Sequence, residues 1–144
     1  MAALDPSPSV ARSRGELLRA PLLLGAAGLG VVAALHLRDP HQAGSWGGCP
    51  FLALTGLPCP GCGGLRAVND LTNGDVVGAI SSNVLAVLLL ATSGVLWLVW
   101  TWRRARGQDA PLLRMNLTAG LVLLGLFVAF GAFRWTPWGA WLAP

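Results

Sequence analysis

Charge is what this chain has least of. Only 11% of its 144 residues are charged and 54% are hydrophobic, whereas a soluble domain carries roughly a quarter charged. The mean hydropathy of +0.61 agrees. Such a chain cannot cover a whole surface with groups that face water, so a water-soluble globule is excluded and a lipid-facing protein is expected. Lysine and tyrosine are absent, and all ten basic residues are arginine. The net charge of +4 does not indicate nucleic acid, because the arginines stand at the ends of apolar runs and not on one face among polar residues. The expected partner is the lipid bilayer, with a membrane protein or a second copy of the chain as alternatives, and no nucleic acid. A Ser/His/Asp set, an H-E-x-x-H helix and a phosphate-cradling loop are also missing, and all six acidic residues lie outside the apolar runs. These absences argue against an enzyme of familiar hydrolytic type and against an ion-coupled transporter.

What the chain does have is three uncharged runs, at residues 20–37, 76–102 and 116–133. Eighteen residues of helix rise about 27 Å, close to the thickness of a bilayer's hydrocarbon core. The expected fold is therefore all-α: three transmembrane helices, a short poorly ordered tail over residues 1–19, and one membrane domain over 20–144. A basic leader with small residues near Val31 and Ala33 would also suit a cleaved signal peptide. The length of that leader and the weak cleavage site favour an uncleaved anchor. Asp75 is the expected N-cap of the second span. Trp97, Trp100 and Trp102, followed by Arg103, Arg104 and Arg106, form its stop. Arg134, Trp135, Trp138 and Trp141 form an interfacial belt beyond the third. Small residues recur four apart at Ala26, Gly30 and Ala34, at Ser82 and Ala86, and at Gly125 and Ala129, which predicts close helix packing within the chain.

Arginine also orients the spans. Arg12, Arg14 and Arg19 precede the first span and Arg103, Arg104, Arg106 and Arg114 follow the second, seven of the ten in all. Positive charge stays inside, so the N-terminus is expected to be cytoplasmic, with the 38–75 loop and the C-terminus extracytoplasmic, in the plasma membrane.

That loop holds all three cysteines: Cys49, Cys59 and Cys62. After them, "GLRAVNDLTNG" predicts a short helix, with Arg66 and Asp70 paired at i,i+4 and Gly74 ending it. Cys62 then lies near a helix N-terminus, where the dipole lowers a thiol's pKa. The stretch "CPFLALTGLPCPGCGGLRA", with Gly74-Asp75 and Asn83 beyond it, resembles the DUF2752 family of small membrane proteins of unassigned function. The resemblance covers Cys49-Pro50, Thr55-Gly56, Pro58 to Gly63, Arg66-Ala67 and Gly74-Asp75. Two positions depart from the family pattern: Leu65 stands where threonine is usual, and Val84 follows Asn83 where proline is usual. The resemblance implies no activity, and without that proline it implies no kink at Asn83.

Three thiols allow one disulfide and leave one over. The leading expectation is a non-catalytic membrane module or scaffold whose outer loop is held by a disulfide, with no cofactor. One alternative is a membrane-bound thiol–disulfide oxidoreductase, with Cys62 or Cys59 attacking and Cys49 resolving. Another is a zinc or copper site on Cys49, Cys59 and Cys62, with His41 as a fourth ligand. Outside such a site, His41 reads as a solvated loop residue and His36 as interfacial. Arg66 could alternatively meet an anion or headgroup. Asn83, an amide inside a span, needs a partner, and a bond into the loop is expected.

Overall fold

The computed structural model describes residues 13–109, 111–112 and 116–142. Residues 1–12 of the expected tail, Arg12 among them, and Arg114 lie outside the described residues. Among the described residues every regular element is helical: α1 (Arg14–Leu37), α2 (Pro50–Thr55), α3 (Gly64–Thr72), α4 (Val76–Ala105) and α5 (Leu117–Arg134), followed by a 3-10 turn over Ala140–Leu142. Three of them, α1, α4 and α5, are long and apolar enough to cross a membrane.

Each long helix starts where a polar side chain satisfies its first amides. Ser13 and Glu16 form a reciprocal capping box that starts α1 at Arg14. The helix therefore begins six residues before the uncharged run, and residues 14–19, expected in a poorly ordered tail, are its first turns. Asp75 caps α4 through Gly78 N–H at 2.8 Å, as expected, and Asn116 caps α5 through Ala119 N–H at 2.8 Å. Helix α4 runs to Ala105, three residues past the expected stop.

Helices α1 and α4 meet along a seam set by Pro21. Proline has no N–H to give the carbonyl four residues earlier, and that carbonyl, of Leu17, accepts instead from the Arg104 guanidinium at 3.1 Å. Trp97 Nε1 donates to the Pro21 carbonyl at 2.9 Å, and Gly25 leaves room for the indole. A Cβ on Gly25 would lie 2.6 Å from Trp97 Cζ2. Gly25→Ala is expected to cost about 1–3 kcal/mol through overpacking, read as a lower thermal midpoint in detergent micelles. An unchanged midpoint would mean that the indole has room to move.

Small-residue packing follows a different pattern from the expected ridges. Ala26, Gly30, Ala34, Gly125 and Ala129 are exposed; the face that α1 packs instead carries Leu17, Pro21, Gly25 and Leu35. Only the Ser82–Ala86 ridge is used, with Ala86 Cβ lying 3.6 Å from where a Cβ on Gly64 would stand.

Buried residues concentrate at the end of the bundle that carries the 38–75 loop: Cys62, Ala67, Asn69, Asp70, Ala79, Asn83, Arg134 and Leu142. Over most of their length the spans present leucine and valine outward, as lipid requires. The compact part of the molecule is thus a polar core at one mouth of an open bundle. Helix α3 lies across α1 and the first turns of α4 there. Asn69 Nδ2 donates to the Leu35 carbonyl at 2.8 Å, satisfying an orphan acceptor at the end of α1, and His36 Nδ1 meets Thr72 Oγ1 at 3.0 Å.

Helix α4 breaks at Asn83. Its backbone is extended there (φ −168°, ψ 95°) and its side chain is 1% exposed. Asn83 Oδ1 accepts from Ala86 N–H at 2.9 Å, the bond an N-cap makes to its N3 position. The helix stops and restarts, with Val84 as the first residue of the new segment. A kink therefore occurs without the proline whose absence argued against it, because the asparagine side chain supplies the cap itself.

Candidate functional site

Two chain segments bring the three sulfurs together. Cys49 is the N-cap of α2, with Pro50 at the first helical position, and Gly56 ends that helix with φ +70°. Thr55 Oγ1 donates to the Phe51 carbonyl at 2.7 Å and accepts from Leu57 N–H at 3.2 Å, turning the chain back. The second segment is a tight turn in which Cys62 N–H donates to the Cys59 carbonyl at 3.1 Å. Gly63, at φ +80°, then N-caps α3. All three residues are free thiols here. The Cys59 and Cys62 sulfurs are 3.0 Å apart, those of Cys49 and Cys59 are 3.5 Å apart, and the whole set lies within 4.8 Å.

The turn rests on groups from α4 and α5. Asn83 Nδ2 donates to the carbonyls of Pro60 and Cys62 at 2.9 and 3.0 Å, the bond into the loop expected for this residue. Arg134, the last residue of α5, is 2% exposed. Its Nη1 donates to the carbonyls of Cys59 and Cys62 at 3.0 and 2.9 Å. One turn earlier, Gly131 lets Pro60 approach so closely that a Cβ there would lie 2.6 Å from Pro60 Cγ. Trp135 completes the contact, with Nε1 donating to the Pro58 carbonyl at 2.9 Å and its ring stacked on Phe51. Arg134 and Trp135, expected in an interfacial belt, are docking groups for the thiol loop. A signal for Arg134 was present: an arginine alone on the flank that the charge rule leaves poor needs some other reason to be there.

The thiols differ in acidity, and not in the expected order. Cys49, at the start of α2, is lowered to about 7, chiefly by the Leu52 backbone N–H and then by the Cys62 and Cys59 thiols. Cys62 is pushed up to about 12, first by burial and then by the neighbouring sulfurs. The thiol expected to be activated is therefore the protected one, because sitting beside a helix start does not offset its burial. In the metal-free protein, Cys49 is expected to alkylate before Cys62, its rate rising through a midpoint near pH 7. Peptide-resolved mass spectrometry reads the order, and Cys62 leading would contradict it.

The other loop residues form a separate latch. Asp70, 8% exposed, accepts from Ser82 Oγ at 2.9 Å and meets His41 Nε2 at 2.7 Å. Arg66 does not pair with it as expected; its Nε donates to the Pro40 carbonyl at 3.4 Å. The carboxylate satisfies Ser82 and His41 on α3's inner face, while Arg66 reaches the preceding turn. His41 is an exposed loop residue as expected, but it is held by Asp70 and is not grouped with the sulfurs. Among the described residues the metal-capable group is Cys49, Cys59 and Cys62, and a Cys₃His set is not formed. The serine–aspartate–histidine order here is not a nucleophile's relay, because the carboxylate stands in the middle.

Residues 49–97 match the DUF2752 family. Its description is "Protein of unknown function", so the match adds no chemistry. The DUF2752 segment starts at Cys49, includes all three thiols, Asp70 and Asn83, and ends at Trp97. The resemblance read from the cysteine loop holds over that span. His41 and Arg134 lie outside the DUF2752 segment. No curated protein and no solved structure matches the chain.

Proposed function

We propose that this multi-pass membrane protein binds a thiophilic metal ion, zinc or copper(I), through Cys49, Cys59 and Cys62 on the extracytoplasmic face of the plasma membrane. The observation that carries the reading is the convergence of three sulfurs from two segments within 4.8 Å. Zinc–sulfur bonds of about 2.3 Å put tetrahedral ligand sulfurs about 3.8 Å apart, inside the spread seen here. A loop staple, the expectation favoured by the sequence, needs two sulfurs about 2.05 Å apart and gives the third no purpose. Arginine asymmetry supports the orientation, since Arg14, Arg19, Arg103, Arg104 and Arg106 share the end opposite the thiols.

A second reading has its own observation. Cys49 is lowered to about 7 and sits 3.5 Å from Cys59, which suits attack on a Cys59–Cys62 disulfide. That exchange forms a Cys49–Cys59 bond, releases the Cys62 thiolate and is redox-neutral: return attack by Cys62 on Cys59 resets it, and an external dithiol enters only for net reduction to three thiols.

Metal analysis with thiol counting on protein purified without reductant or chelator separates the readings. About one zinc or copper ion per chain, with the thiols protected until a chelator is added, is the expected result. A stoichiometric Cys59–Cys62 disulfide without metal would leave the scaffold or exchange reading in its place.

A further inference from the structure

Arg134 is a buried cation that pairs with no carboxylate among the described residues. Its Nη1 donates to the carbonyls of Cys59, Cys62 and, at 3.5 Å, Pro60, and its Nη2 to the carbonyl of Ser82 at 3.4 Å. Its Nε is buried with no hydrogen-bond partner among the described residues. The described carboxylates are engaged elsewhere: Glu16 in the α1 cap, Asp39 on His41 N–H, Asp70 with His41 and Ser82, Asp75 in the α4 cap, and Asp109 with Arg104. A guanidinium stays protonated in proteins, and a buried charge left without an opposite one is costly. Carbonyl dipoles solvate this cation but carry no net charge. The ionisable groups on the turn it holds are the thiols.

We propose that Arg134 is the fixed counter-charge of the thiol site, and that the ion it selects is divalent, of the zinc type, and bound by all three sulfurs. The inference rests on the metal-binding reading and deepens it. Three thiolates, one guanidinium and a divalent ion sum to zero, whereas a monovalent ion on the same three thiolates leaves the site at minus one. Each thiol that coordinates gives its proton to water, so no further reactant is needed. A monovalent ion reaches neutrality only with two thiolates, leaving one thiol free. Arg134 acts through the ligands and is a positioning residue, not one that touches the ion.

The experiment uses the full chain in detergent micelles. With zinc at saturation, all three cysteines are expected to resist alkylation, while copper(I) leaves one reactive. Zinc affinity, measured by chelator competition, is expected to fall about 10–100-fold in Arg134→Gln, the range for residues that support metal ligands. It is expected to recover most of the way in Arg134→Lys, which keeps the charge but not the fork of carbonyl bonds. Equal zinc affinity in Arg134→Gln, or Arg134→Lys falling as far as the glutamine variant, would overturn the counter-charge role. Copper(I) held by all three sulfurs in preference to zinc would overturn the divalent assignment and leave metal binding intact. Protein that takes up neither ion would remove the metal-binding reading itself. The protection pattern is read on the unaltered chain, so a variant that fails to fold does not block the test.

Discussion

Asn83→Ala is expected to destabilise the protein by about 2–4 kcal/mol, summing one helix cap with two buried hydrogen bonds. Asn83 Oδ1 restarts α4, and its Nδ2 holds the carbonyls of Pro60 and Cys62. Alanine ends all three bonds and leaves buried groups behind. Thermal unfolding in micelles gives the loss, and alkylation should reach Cys62 more readily as the turn lifts. The companion variant is Val84→Pro. Proline inside a regular helix costs about 3 kcal/mol or more, but Val84 opens the restarted segment, where proline is tolerated. The expected change is under about 1 kcal/mol. A large loss would mean that the helix runs through Asn83 unbroken.

The second large effect separates a metal site from a stapled loop. Cys49→Ser is expected to reduce metal affinity at least about 100-fold, beyond the usual loss from altering a supporting residue, with little change in thermal stability of the metal-free chain. Cys49 is only half-buried, and its removal leaves the Cys59–Cys62 turn on its Asn83 and Arg134 supports. A loop stapled by Cys59 and Cys62 would not register the change. Chelator competition reads the affinity; wild-type binding by Cys49→Ser would show that two sulfurs suffice.

The spans were legible because uncharged runs of eighteen residues or more leave few alternatives in a chain this poor in charge. Asp75 and the short helix after Cys62 were legible from local chemistry, since caps and glycine stops act over four residues. The start of α1 was legible in principle from Ser13 and Glu16, a capping pair that lies outside the apolar run marking the span. The site was harder. Its sulfurs were visible, yet the groups that support them come from Asn83 and Arg134, some twenty and seventy residues further along, and only the fold joins them. Asp70 shows the same limit. Helical spacing offered it Arg66, and tertiary packing gave it His41 and Ser82 instead. Cys62 shows how burial reverses a local rule: its place beside a helix start was predicted, but its depth sets its acidity.

Zinc K-edge absorption on the purified, unreduced protein tests the thiol site most directly. Three sulfur scatterers at about 2.3 Å are expected, with the signal gone in Cys49→Ser. Zinc surrounded by oxygen and nitrogen alone, in protein whose intact mass shows a Cys59–Cys62 disulfide, would contradict it.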